Sequence, residues 1–393
     1  MTSHPQRNEV KLYVVLPTNE VGGHESMLIE LLTQARRYGL RPVIYCRCGW
    51  ALDEMSTACG IPCIGVNYRV RSGRRSWAIR WTNFLRTLRL AQRLPRDAPV
   101  LLAPGSMHAS LLHLLACALA RRTIICYVPT AHGASTELLR WPKLRDWIAG
   151  VLARRVSLWI AIRDEQKSAL ETYWRVVTPI VTIPNRIAVM NGPPTNRANV
   201  VKSNQKLTIS FIGRFEPKAK GLDWLERVLR EDMHWRSRFK FVFQGRGPFL
   251  QTLERLAATI GTDHILVLPW GNPRTTLDTT DVLILTSRFE GFPLAAVEAL
   301  WAGVPVVATL ESGLSSILPQ TCLFTFGDHL GMWRALNRMR VSRLRDEAVT
   351  HALQRLNVLL SEETNLRGIE LFVRRVRTLL APDVQNEARE LSS

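Results

Sequence analysis

Glu290 and Glu298, separated by seven residues, lie between an apolar run at residues 281–286 and the segment Ala302-Gly303-Val304-Pro305-Val306-Val307-Ala308. A carboxylate accepts two hydroxyl hydrogens at once, so paired glutamates suit vicinal sugar hydroxyls or a ribose diol. The spacing puts Glu290 in a loop at a strand end and Glu298 in the helix that follows, with Pro293 suited to that helix's first turn. The amides of Gly291, Phe292 and Leu294 at the helix start favour an anionic group. From spacing alone a plainer reading stays open, in which Glu290 caps the helix and Glu298 is merely solvated.

A second group of candidates is basic. Gly213-Arg214-Phe215-Glu216-Pro217-Lys218-Ala219-Lys220-Gly221 follows an apolar run at 207–212. Arg214 and Lys220 in such a loop form a site for a diphosphate, where they would neutralise charge growing on a leaving group. Lys218 competes with Lys220 for that place, and taken alone the cations read equally as ordinary surface. Gly245-Arg246-Gly247-Pro248 reads as a tight strand-to-helix turn. Near the N-terminus, Gly22 and Gly23 precede His24-Glu25 and allow a phosphate or sugar to approach the backbone. His132 sits in Pro129-Thr130-Ala131-His132-Gly133, just past the apolar run 123–128.

These residues must be positioned by strand ends, and the chain supplies strands in a β-α-β rhythm. Apolar runs at 11–16, 42–46, 100–103, 123–128, 158–162 and 177–183 alternate with amphipathic stretches such as 25–38. A second series follows at 207–212, 239–243, 265–268, 281–286 and 304–308. The expected organisation is an α/β chain of two Rossmann-like domains. The first covers 1–187, a polar connection with Asn191-Gly192-Pro193-Pro194 covers 188–206, and the second covers 207–350. Helices fill 351–393 and pack back on the first domain. Ligands in such sheets bind beyond the carboxyl ends of the strands, where each candidate lies.

Glu290-x7-Glu298 followed by Ala299-Leu300-Trp301-Ala302-Gly303-Val304-Pro305-Val306-Val307-Ala308 resembles the signature of the GT4 family of retaining glycosyltransferases. The Gly213–Gly221 segment resembles the family's G-R-x-x-x-x-K-G with one extra residue, and Gly22-Gly23-His24-Glu25 resembles its G-G-x-E. His132 is similar to the family histidine beside the transferred sugar. Arg163 and Arg186 depart from the family's serine and glycine and receive no role.

The resemblance implies the GT-B fold, two Rossmann-like domains facing across a cleft. It also implies sugar transfer with retention from a nucleotide-diphosphate sugar to a saccharide acceptor. Glu290 would face the sugar, Glu298 the ribose, and Arg214 with Lys220 the diphosphate. No D-x-D triplet occurs, so no metal and no cofactor beyond the donor are expected.

The formal net charge is +19, and residues 1–190 hold 26 basic and 12 acidic side chains against 26 and 21 in the rest. The first half therefore carries a field suited to an anionic partner. Residues 71–96 contain eight arginines and no acid. On a helix, Trp77, Trp81, Phe84 and Leu88 form one band, with Arg86, Arg89 and Arg93 beside or opposite it and Arg74 and Arg75 before it. Trp with Arg at this spacing suits an anionic membrane interface and a lipid-linked saccharide acceptor, with Trp141, Lys143, Arg145 and Trp147 extending the patch. Packing of the same helix into the first domain's core is the alternative.

The seven cysteines are scattered, as in a reducing cytoplasm, and Cys46, Cys48, Cys59 and Cys63 lack zinc-site spacing. No stretch reads as a signal peptide or a membrane span, so a cytoplasmic protein, peripheral at the inner face of the membrane, is expected. The basic pI would also fit a nucleic-acid-binding protein, but no recognition motif accompanies it, and no nucleic-acid partner is expected. An inactive partner subunit of the same fold is the remaining alternative, opposed by the intact Glu290, Glu298 and Arg214.

Overall fold

The structure, a computed structural model, describes residues 9–17, 23–47, 59–68, 76–184 and 206–380, without the side chains of 76–78. Two compact units result. One comprises Met1–Arg186 with Ser361–Ser393, the other Ile187–Leu360.

The first unit is a parallel sheet of seven strands in the order β3-β2-β1-β4-β5-β6-β7. The strands are β1 (Val10–Leu16), β2 (Leu40–Arg47), β3 (Cys63–Val66), β4 (Val100–Leu102), β5 (Ile124–Tyr127), β6 (Val156–Ala161) and β7 (Ile180–Thr182). Helices α1 (Gly23–Arg37), α2 (Ser76–Arg93), α3 (Met107–Leu119), α4 (Pro142–Ala153) and α5 (Asp164–Trp174) connect them. Central strands such as Ile124–Tyr127 are buried on both faces, which is why they read as unbroken apolar runs. Tyr13, Val15, Trp159 and Trp174 share one core.

The second unit repeats the plan with six strands, β10-β9-β8-β11-β12-β13. They are β8 (Leu207–Arg214), β9 (Phe239–Arg246), β10 (Ile265–Pro269), β11 (Val282–Leu285), β12 (Val306–Thr309) and β13 (Leu323–Phe324). Their helices are α6 (Leu222–Glu231), α7 (Leu250–Ile260), α8 (Pro273–Leu277), α9 (Leu294–Trp301), α10 (His329–Arg338) and α11 (Ser342–Leu359). Phe239 stacks on Trp333, and Phe241 meets Trp235 edge to face, so aromatics fill this core.

Both sheets reverse their winding once, between β1 and β4 in one unit and between β8 and β11 in the other. A crevice forms where neighbouring connections leave to opposite faces, so these two places are where a fold of this kind offers room for a ligand.

Strands β3 and β13 escape the sequence reading. The first is four residues long and half-exposed, and the second has two residues, so neither shows a periodic pattern. The expected C-terminal segment 351–393 divides at Ser361. Residues up to Leu359 finish α11 in the second unit, while α12 (Glu362–Thr378) packs on α1 and β7 of the first. The proposed connection 188–206 lies outside the described residues, apart from Lys206.

Candidate functional site

The switch point of the second unit brings together two loops, 215–221 after β8 and 286–293 after β11. Backbone contacts fix their approach. Gly221 has φ of 66°, and a Cβ there would lie 1.9 Å from the Thr286 carbonyl oxygen, so only glycine lets the loops touch. Thr286 Oγ1 donates to the Lys220 carbonyl at 2.8 Å, and the Arg288 amide donates to Ala219 O at 2.9 Å. The Arg288 guanidinium donates to Lys218 O at 2.7 Å and to Asp223 at 2.7 Å, and lies 4.3 Å from the centre of the Phe326 ring. Burial alone would raise the Asp223 pKa, but hydrogen bonds from Arg288 and Lys218 outweigh it and hold the carboxyl below its usual range.

This frame settles how the two lysines are directed. Lys220 Nζ donates to Glu290 Oε1, which also accepts from Ser287 Oγ at 2.9 Å. Lys218 pairs instead with Asp223 at 2.9 Å. Glu290 is thus held in its loop, with a largely buried side chain. Arg214 ends β8 in solvent, and its guanidinium meets no partner among the described residues.

Glu298 lies on α9, half-buried, and no described side chain donates to its carboxylate. Burial pushes its pKa up. Pro293 stands at the cap position immediately before α9, whose first turn receives no side-chain cap, so the Leu294 end remains suited to an anion. Phe292 is buried beneath the loop and Gly291 is partly covered.

Gly245 and Gly247 serve the fold. A Cβ on Gly245 would lie 1.9 Å from Gly213 O, and one on Gly247 would lie 2.8 Å from Phe215 O. The Phe215 amide donates to Arg246 O at 2.7 Å, so this turn presses the β8 loop into place.

In the first unit Gly22 lies outside the described residues, while Gly23 is exposed at the start of α1. His24 stacks on Tyr127 with ring centres 5.4 Å apart, and its Nδ1 lies 3.4 Å from Glu25 Oε1. These groups gather at the β1, β4 and β5 ends. His132 is half-buried in a loop pinned on both sides. Gln166 Nε2 donates to Pro129 O while its Oε1 accepts the Ile162 amide at 2.9 Å. Asp146 accepts the Ala134 amide at 3.0 Å and Trp174 Nε1 at 3.2 Å, with His108 Nε2 3.2 Å away. Burial lowers the His108 pKa, and Asp146 offsets part of that shift.

The basic stretch behaves differently from its sequence expectation. Phe84 is buried, Leu88 packs on the core, and Thr87 bonds His113 at 2.8 Å, so much of the apolar band of α2 faces inward. Trp81 is exposed, Arg89 is exposed and Arg86 is half-buried. Arg74, Arg75 and the Trp77 side chain lie outside the described residues.

Sequence reasoning assigned nothing to Arg288, Asp146 or Gln166. Arg288 stands two residues before Glu290 and could have been found as part of that loop. Asp146 is the only acid between residues 138 and 163.

Comparison with known proteins agrees with this geometry. Residues 21–189 match the model of Glycosyltransferase Family 4, and residues 206–339 match Glycosyl transferases group 1. The chain belongs to the family 4 glycosyltransferases. This family 4 member is 32% identical over 122 residues to an uncharacterized glycosyltransferase of Methanocaldococcus jannaschii, covering 30% of each chain. It is 26% identical over 167 residues to the lipopolysaccharide 1,6-galactosyltransferase of Escherichia coli, covering 39% of this chain and 45% of that one. Alignments with the first curated relatives span only 30%, 54% and 37% of their lengths. Among solved structures, Anabaena HepE in complex with UDP-glucose matches with a TM-score of 0.65 at 17% identity, covering 93% of this chain and 99% of that one. The likeness shows the GT-B fold for this family 4 chain.

Proposed function

We propose that the chain transfers a sugar, with retention, from a nucleoside diphosphate donor to a saccharide acceptor in cell-surface polysaccharide or glycolipid synthesis. The observation that carries this reading is the Lys220–Glu290 pair at the ends of the neighbouring strands β8 and β11, with Arg214 closing β8 and a half-buried Glu298 on the helix that follows β11. Glu298 lacks two hydrogen-bond donors, which a ribose diol would supply. Arg214, Lys220 and the uncapped start of α9 offer positive charge for a diphosphate. Neutralising that group as the bond from the anomeric carbon to the phosphate oxygen breaks is the main catalytic contribution, and no divalent ion or other cofactor is invoked.

The acceptor hydroxyl forms the new bond on the face the diphosphate leaves, and its proton passes to the departing phosphate oxygen. Glu290, oriented by Lys220 and Ser287, faces the transferred sugar. The acceptor is a lipid-linked saccharide at the inner face of a membrane, which the chain meets as a peripheral protein. Among the described residues no helix is long and apolar enough to cross a bilayer.

UDP is the first donor nucleotide to test, because it occupies the Anabaena HepE relative. Thermal shift with UDP, GDP and ADP, then transfer assays on Glu298→Ala and Arg214→Ala, check the reading. Each variant should lose about 100-fold or more in kcat/KM and keep its melting temperature without ligand. Wild-type transfer in both variants would overturn the site. Anomeric configuration of the product, read by NMR, tests retention.

A further inference from the structure

Two tryptophans on α4 and its cap are among the most solvent-exposed large apolar side chains of the described residues, Trp141 at 71% and Trp147 at 67%. Leu144 and Val151 are also exposed and share a face with Trp147, at spacings of three and four residues. The opposite face already does the packing. Ala149 and Ala153 are buried there, and Asp146 turns inward to Ala134 and Trp174. The helix therefore has a second apolar face with nothing of the described chain over it.

The charges beside that face have one sign. Arg140, Lys143, Arg154 and Arg155 are exposed around it, while Asp146 is its only acid and points away. Arg140 lies 5.8 Å from the Trp141 ring centre, placing a cation and an aromatic face side by side. Trp141 itself, and Leu138 before it, have φ of 55°, a costly conformation for residues with a side chain.

We infer that this face of α4, rather than the band on α2, docks the protein on an anionic phospholipid bilayer. The twelve-residue helix is too short to span a membrane and suits lying in its interface, with rings among the acyl carbons and cations at the headgroups. Anionic lipid is the occupant because the rim holds only cations, each of which strengthens surface binding about fivefold. The inference deepens the lipid-linked acceptor reading and rests on it for its purpose, yet vesicle binding is measurable without any transfer.

Sedimentation of the full chain with phosphatidylcholine vesicles, with and without phosphatidylglycerol, tests it. Wild type should bind the anionic vesicles and release at high salt. The double variant Trp141→Ser with Trp147→Ser should lose about tenfold or more in partitioning, and Lys143→Glu with Arg154→Glu still more, while Trp81→Ser changes little. All these positions are exposed, and thermal melts confirm the fold. Quenching by brominated lipid should fall in Trp147→Phe. Equal sedimentation of wild type and the tryptophan variant overturns the inference. So does a concentration-dependent dimer abolished by Trp147→Ser, which assigns the face to a second copy, or binding to an oligonucleotide that competes fully with vesicles and persists without the tryptophans. Transfer to a water-soluble acceptor should survive in the tryptophan variant; absence of transfer in wild type with intact vesicle binding would sink the catalytic reading alone.

Discussion

The two units share a sheet plan and spend their charge in opposite ways. In the second, cations at the switch point are turned on the site itself: Lys220 onto Glu290, and Arg288 onto the loop carrying Lys220. In the first, the His132 loop is held by neutral or acidic groups, Gln166 and Asp146, while arginines and lysines gather on the outer face of α4. The same topology can thus build a cation-bearing loop pair stitched together, or hold its loop with an amide and a carboxylate and present its cations outward. The number of cations does not decide which occurs. What decides it is whether a nearby strand-end loop offers carbonyls and carboxylates to receive them.

The sharpest break of that contrast is Gly221→Val. Its Cβ would collide with Thr286 O and hold a positive φ, costing about 3 kcal/mol or more and separating the two loops. Calorimetry should show a melting temperature lowered by several degrees together with loss of the nucleotide-induced shift; loss of neither would mean the loops are not held this way.

Asp146→Ala probes the other unit. It leaves the Ala134 amide and Trp174 Nε1 without their acceptor, at a cost of about 1–3 kcal/mol. Denaturant unfolding should register this, while nucleotide affinity stays within about twofold. A large fall in nucleotide affinity would erase the division of labour between the units.

The smallest expected effect concerns Glu298→Gln. Because burial raises this carboxyl's pKa, the folded chain holds its proton more tightly than the unfolded chain. The favourable contribution is full below the unfolded pKa and is lost as pH rises through the folded one. At neutral pH, Glu298→Gln should therefore raise the ligand-free melting temperature by about 1–3 °C, with the gain vanishing near pH 4, and should weaken nucleotide binding. A lower melting temperature at pH 7 would show an unseen donor on the native carboxylate.

Most strands and the positions of both glutamates were legible in the sequence because parallel strands buried on two faces leave unbroken apolar runs, and strand-end loops follow them. What escaped was tertiary. Nothing in the spacing tells that Lys218 is claimed by Asp223, leaving Lys220 for Glu290, or that Arg288 bonds carbonyls some seventy residues earlier. The band Trp77, Trp81, Phe84 and Leu88 satisfied an amphipathic pattern, but a pattern fixes only that residues share a face. It cannot say whether that face meets core or solvent, and Phe84 and Leu88 meet core.

Helix α12 belongs to the unit that opens the chain. Asn365 Nδ2 donates to Pro184 O at 2.6 Å, Arg377 donates to Tyr38 O at 2.7 Å, and a Cβ on Gly368 would lie 2.7 Å from Thr182 O. A ribosome making this protein therefore finishes the second unit while the first still lacks its closing helix. The order of synthesis and the order of completion are inverted, and any fragment meant to reproduce the first unit must carry residues 361–380 as a separate piece of chain.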